Sequence, residues 1–313
     1  MTSPRIGFLL PTRERIMEGR PEAVALVDLA AEAAQLGYDS VWIGDSLTAR
    51  PRHEPLTLLA SIAARVPRVT LGTAVLLPAL RNPVLLAHQV ATLDQASEGR
   101  LVLGVGIAAD LPNIRAEFEA AGVPFEKRVG RLLEGLRLCR ALWTGEPVTW
   151  DGLWQVRNAA IAPIPHRPGG PPIWIGGNAQ AGLARAGRSF DGWFPIRPDA
   201  ARFARQWREV LDVARDAGRD PAALTGAIYL TVSLDARNDR AESRLDAFFE
   251  QYYGQPAAVM RAGQAHYAGP VDGLAACLQA YAEAGVSHFV LRFAGESERQ
   301  FRSLPEIRAA LGW

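Results

Sequence analysis

The stretch RVTLGTAVLLPALRNPVLLAHQVATLDQASEGRLVLGVG, residues 68–106, decides the fold. A short run rich in β-branched residues and leucine, 69–74, gives way to a polar, proline-broken loop. Pro83 sits near a helix start, the helix stops at Gly99, and a second apolar strand follows over 101–106. Strand, loop, helix and strand in that order form the repeating unit of a parallel sheet. The same grammar runs through the chain, with strands predicted over 5–10, 40–43, 69–74, 101–106, 173–175, 192–195, 227–233 and 289–293. Between them lie amphipathic segments such as RPEAVALVDLAAEAAQLG, whose apolar residues repeat at three and four and which closes on Gly37. Eight such units without a linker predict an α/β chain folded as one (β/α)8 TIM barrel over 1–313. An open doubly wound sheet is the alternative.

Composition narrows the function classes. The 313 residues are 49% apolar and 21% charged, with a formal charge of +1. That balance fits a soluble globular chain and gives no general attraction to nucleic acid or to a membrane surface. No apolar run reaches membrane-spanning length, and the start MTSPRIGFLLPTRER enters a strand without the order of a signal peptide, so the cytoplasm is the expected compartment. Cys139 and Cys277 lie in helix-like apolar runs and read as small hydrophobes. The five histidines are dispersed, so no metal set is expected. Positive charge is almost all arginine, with Lys127 the one lysine, and arginine suits phosphate and carboxylate groups.

Two segments interrupt the alternation. Residues 145–172 hold Asp151 and Gly152 between strand-like runs, which predicts a β-hairpin insertion and an extended approach to the fifth strand. Residues 199–269 add helices around the seventh strand. Insertions of this kind are expected either to cover the barrel mouth or to act as purely structural lids.

In a barrel, chemistry belongs at the carboxyl ends of the strands. In IWIGGNAQAGLARAGR a buried strand stops at Gly176 and Gly177, and a helix begins near Asn178 or Ala179. Backbone N–H groups at such a helix start can bind phosphate, or the glycines can simply make a tight turn. In GVGIAAD, Gly104 and Gly106 share one strand face, leaving room for a flat ligand or for core packing. In VWIGDSLTARPRHEP, residues 41–55, Asp45 and Ser46 stand where a buried strand becomes a loop. They read as pocket residues or as ordinary turn and cap residues. Arg292, at the end of the eighth strand, can meet a phosphate or a substrate carboxylate, or form a rim ion pair.

The segments LAAEAAQLGYDSVWIGDSL, RVTLGTAVLLPALRNPVLLAHQVATLDQASEGRLVLGVG, EFEAAGVPFEKRVGRLLEGLRLCRALWTGEP and PPIWIGGNAQAGLARAGRSFDGWFP resemble, in order and spacing, the luciferase-like oxidoreductases. That family includes bacterial luciferase, alkanesulfonate monooxygenase and the coenzyme F420-dependent dehydrogenases and reductases. The likeness spans about residues 5–196, with HFVLRFAG a looser echo. It implies a barrel that holds FMN or the deazaflavin F420 noncovalently at the strand carboxyl ends. Such a barrel acts on a small organic substrate, as a monooxygenase or by hydride transfer. It further implies a non-prolyl cis peptide at Ala74-Val75, ring or tail contacts from Gly106 and Ile107, and a phosphate turn made by Gly176, Gly177, Asn178 and Ala179.

The resemblance places Asp45 and Ser46 where many members carry an acid–histidine pair. Serine cannot match imidazole as a proton shuttle near neutral pH. His53, further along the loop, completes the catalytic candidates Asp45, Ser46 and His53, although an exposed loop histidine is the plainer reading. Ile107, Ala108 and Ala109 form an apolar wall where many relatives have Trp or Glu, leaving Asp110 as the nearest acid. The resemblance also implies a homodimer, and a flavin reductase partner if FMN is used. The alternative is a barrel that binds a flavin or phosphate ligand without turnover.

Overall fold

The computed structural model describes residues 3–197 and 199–313. Among these residues the strands are β1 (Arg5–Leu9), β2 (Ser40–Ile43), β3 (Thr70–Thr73), β4 (Leu101–Val105), β5 (Val148–Asp151), β6 (Gln155–Ala159), β7 (Ile173–Ile175), β8 (Gly192–Trp193), β9 (Thr225–Leu234), β10 (His266–Gly269) and β11 (His288–Phe293). Eight close a parallel barrel in the order β1-β2-β3-β4-β7-β8-β9-β11, and they are the eight read from the sequence. The register sets Gly7 against Ser40, Ser40 against Thr70, Gly192 against Thr225, and His288 against Arg5.

The principal helices are α1 (Thr12–Met17), α2 (Ala23–Gln35), α3 (Pro55–Arg65), α4 (Pro83–Ala96), α5 (Pro112–Ala120), α6 (Arg128–Leu142), α7 (Gln180–Ser189), α8 (Ala200–Asp216), α9 (Asn238–Tyr253), α10 (Ala257–Gly263) and α11 (Val271–Glu283). The start of α4 shows how sequence fixes an element. The Asn82 side chain accepts from the N–H groups of Val84 and Leu85, and Pro83 occupies the first turn, where no N–H is needed. Its buried face, including Leu86, Ala87, Val90 and Ala91, then packs in the layer between helices and strands.

Large rings fill the barrel itself. Trp42 lies with its ring centroid 5.3 Å from those of both Trp174 and Phe194. Glycines on the strands make the room: a Cβ on Gly72 would fall 2.1 Å from the Trp42 ring, and one on Gly104 would fall 2.1 Å from the Thr73 carbonyl oxygen and 3.1 Å from Phe194. Gly104 therefore serves packing, one of its two sequence readings. Removing one of these rings to alanine would cost about 3–5 kcal/mol.

Toward the amino-terminal end of the barrel, His288 is buried against the edges of Trp42 and Trp174, with Nε2 2.8 Å from Ser40 Oγ. Burial, aided by the charge of Arg5, pushes its pKa down from the ordinary 6.5 to about 3. The unfolded chain therefore takes up this proton first as the pH falls. Stability is complete above the unfolded value and is lost progressively between the two pKa values. The loss from this residue should reach about 2 kcal/mol by pH 5. Urea unfolding at neutral pH and at pH 5 should show the slope in the wild type and a shallower one in His288→Gln. Equal slopes would remove His288 as its source.

The insertions behave differently from each other. The β5–β6 hairpin forms as predicted, with Asp151 paired to Gln155, but it packs on the outside of α6. Glu134 there accepts from Leu153 N and Trp150 Nε1, and Arg131 lies over the Trp154 ring. It contributes nothing to the mouth, so covering the mouth falls to the later insertion. Within that insertion β10 was not foreseen: its short polar sequence HYAG lacks an apolar run. It pairs with the far half of β9, and Ala265 N donates to Ile196 O just beyond β8. The β8 edge thus continues upward into the mouth.

Candidate active site

At the carboxyl ends of the barrel strands a cavity of about 510 Å3 opens. A larger groove, about 1360 Å3, lies at the amino ends around Arg5, Trp174, His288 and Trp313. Catalytic loops in such barrels follow the strands rather than precede them, which assigns the smaller cavity. Its walls divide by chemistry. The β3, β4, β7 and β8 ends give an apolar, glycine-rich half, and the β9, β11 and β2 ends give a half made of arginine and tyrosine.

In the first half, the Ala74-Val75 peptide is cis, as the resemblance implied. The chain after it bridges to β4, with Leu76 N donating to Gly104 O and Gly106 N to Leu76 O. Ile107, Ala108 and Ala109 line the wall beyond. Asp110 turns away into an exposed ion pair with Arg115. At the β7 end, Gly177 has φ +111°, and a Cβ there would meet nothing within 4 Å. Trp193 Nε1 donates to Gly177 O, and the Asn178 amide is engaged with Arg197 O and Gln206 Oε1. Among the described residues the N–H groups of Gly177, Asn178 and Ala179 have no partner, and α7 begins at the next residue. Unpaired N–H groups at a helix start, beside open space, fit a phosphate.

The structure brings Asp45 and Ser46 to the cavity but gives both of them partners. The Asp45 side chain is 2% exposed. Its Oδ2 accepts from Leu77 N at 2.9 Å and from Arg81 Nη1, and its Oδ1 accepts from Arg81 Nη2 at 3.1 Å. Asp45 thus anchors the loop that follows the cis peptide. Ser46 Oγ donates to Glu117 Oε1 at 2.6 Å and accepts from Arg50 N. Glu117, on α5, is fully buried, and the same oxygen accepts from the N–H groups of Leu47, Thr48 and Ala49. His53 is not brought to the cavity; its Nε2 sits 2.7 Å from Pro21 O. The sequence reading missed Glu117, which lies on α5, a helix far along the chain.

Asp45→Asn keeps an acceptor for Leu77 N but leaves the largely buried Arg81 with only Glu54 as its anion. A loss of about 2 kcal/mol in unfolding free energy is expected, with cofactor affinity little changed. Urea unfolding beside a binding titration checks both, and unchanged stability would make Asp45 a bystander at this loop.

The second half carries Arg50, Arg52, Tyr229, Tyr252, Tyr253, Gln264 and Arg292. Arg292 is 2% exposed. Its guanidinium lies 4.6 Å from the Tyr252 ring centroid and 4.7 Å from that of Phe248, and Nη2 donates to Thr231 Oγ1. It makes no rim ion pair with any described residue.

The fold is a TIM barrel, and the candidate site is the cavity at the strand carboxyl ends. Residues 4–298 match the luciferase-like monooxygenase family, and the chain belongs to that family of oxidoreductases. It is 30% identical to an F420-dependent glucose-6-phosphate dehydrogenase of Nocardia farcinica, over 91% of this chain and 94% of that one. It is 32% identical to a phthiodiolone/phenolphthiodiolone dimycocerosates ketoreductase of Mycobacterium tuberculosis, over 78% of this chain and 69% of the relative. The solved structure of an F420-dependent secondary alcohol dehydrogenase with an F420-acetone adduct superposes with a TM-score of 0.83 at 20% identity, covering 99% of both chains. A long-chain alkane monooxygenase superposes at 0.80 and 15% identity, covering 99% of this chain and 92% of that one.

Proposed function

We propose that this chain is an F420-dependent dehydrogenase or reductase acting on a small organic substrate. The observation that carries the reading is the set of N–H groups over 177–179 that have no partner among the described residues, beside the open face of Gly177 and in the same half of the mouth as Ala74-Val75 and Gly106. The similarity of nearly the whole chain to F420-dependent dehydrogenases favours F420 over FMN. Gly176, Gly177, Asn178 and Ala179 would hold the phosphate. Ala74, Val75, Gly106 and Ile107 would face the ring. A bound deazaflavin would supply hydride transfer, whereas FMN would supply oxygen activation.

The protein's part is to position and to exclude water. The apolar wall at Ile107, Ala108 and Ala109 keeps the ring side dry, which strengthens any electrostatic contact made there. Asp45 and Arg81 hold the loop after β3, and Glu117 holds the loop after β2, so Asp45 and Ser46 act by positioning. We assign a cytoplasmic homodimer to the working form, and a reductase partner only to the FMN reading.

Titration of the purified protein with F420 and with FMN, followed by turnover on a panel of alcohols, aldehydes and ketones, tests the reading. F420 binding in the micromolar range with substrate-dependent reduction or oxidation is expected. Oxygen uptake linked to FMN would replace it with the monooxygenase reading. Tight F420 binding without turnover on any substrate would favour the non-catalytic barrel.

A further inference from the structure

Four arginines converge on the β9–β2 half of the mouth from separate parts of the chain. They are Arg13 on α1, Arg50 and Arg52 in the loop after β2, and Arg292 on β11. The Arg13 guanidinium lies 4.9 Å from the Tyr252 ring centroid and that of Arg50 lies 4.8 Å from Tyr253. Arg52 Nη2 donates to Tyr252 Oη at 3.0 Å. Its Nη1 reaches over the end of β2: a Cβ on Gly44 would fall 2.1 Å from it and 3.4 Å from the Ala74 carbonyl oxygen. Arg52 therefore extends beside Ala74, at the ring side of the cavity.

None of the four forms an ion pair with a described residue, whereas Arg81 in the same mouth has two. The Nε atoms of Arg13 and Arg292 are buried without a hydrogen-bond partner. Glu14 is the acid that interacts with Arg292, Arg52 and Arg13. Burial raises its carboxyl pKa, against the pull of those arginines, and Glu14 forms no ion pair with any of the four. Gathering four cations out of water around one acid that pairs directly with none of them is unfavourable, and the aromatic faces offset only part of the cost. Forked guanidinium groups with an adjoining phenol suit a planar or tetrahedral oxyanion.

We propose that the substrate carries an oxyanion, a carboxylate or a phosphate, seated by Arg50, Arg52 and Arg292 with Tyr252, opposite the glycine turn. The word substrate rests on the F420 reading; the oxyanion site rests on the arginines alone. A second source of the same chemistry is the charged tail of the cofactor, so the test separates the two.

Benzoate, phenyl phosphate and the neutral benzyl alcohol are titrated calorimetrically into the protein, alone and saturated with F420. The two anions should bind in both states, at least about tenfold tighter than the alcohol and more weakly as salt is added. Arg50→Gln should weaken the anions by about tenfold or more without altering F420 affinity, and Arg52→Gln should weaken them by as much independently. Arg52→Lys should restore part of the loss. Circular dichroism checks that each variant is folded. Equal binding of acid and alcohol, or no effect of either arginine variant, overturns the proposal. Displacement of the anions by F420 also overturns it and gives the arginines to the cofactor's tail. Anion binding that depends on Arg52 in a protein that takes up no F420 supports the oxyanion site and defeats the F420 reading alone.

Discussion

Gly177→Asp is expected to lower F420 affinity at least a hundredfold while the barrel stays folded. Two effects add at this position. The backbone at φ +111° is one that a side-chain-bearing residue enters only at a cost of about 1–3 kcal/mol. The new carboxylate would also project into the open space over the turn, among the unpaired N–H groups of 177–179. It would satisfy those donors itself and repel a phosphate. Gly177→Ala separates the two, since it adds the strain without the charge, and should cost about tenfold or less. Deazaflavin fluorescence titration reads both variants. Full affinity in the aspartate variant would take the turn out of the cofactor site.

The barrel was legible because its information is local. Each strand is a short apolar run, each helix carries its own period and stop, and neighbours in sequence are neighbours in the sheet. The glycine turn after β7 was legible for the same reason. The family match, over 4–298, extends well past the 5–196 region where the motifs carry the likeness. What stayed hidden depends on contacts between distant residues. Asp45 and Ser46 were placed at the mouth, yet their partners lie 36 and 71 positions away on Arg81 and Glu117. Nothing in TARPRHEP or in FFEQYY says that Arg50 and Arg52 meet Tyr252 and Tyr253. Only Arg292, at a strand end, carried a positional hint. The glutamate in EFEAAG looks like one more polar residue on an amphipathic helix, and only the fold turns it inward.

That glutamate, Glu117, supports the last expected result, a large change in stability. Glu117 Oε1 accepts from Ser46 Oγ and Leu47 N at 2.6 Å, Thr48 N at 2.9 Å and Ala49 N at 3.2 Å. It is the only acceptor those three backbone groups have among the described residues. Glu117→Ala would strand four donors in a partly buried turn, at a cost of about 1–3 kcal/mol for each that water cannot reach. Some of the turn would relax into solvent, so about 3–4 kcal/mol is expected in urea unfolding. Glu117→Gln keeps the oxygen but not the charge, and should lose about half as much. Ser46→Ala made alone and with Glu117→Ala closes a double-mutant cycle, and coupling of about 1 kcal/mol or more would identify the hydroxyl as part of the strut. If Glu117→Ala unfolded within about 0.5 kcal/mol of the wild type, the loop after β2 would have to be held by something else. Arg50 and Arg52 ride on that loop, so the alanine variant should also weaken benzoate binding, whereas a change confined to stability would separate the strut from the oxyanion site.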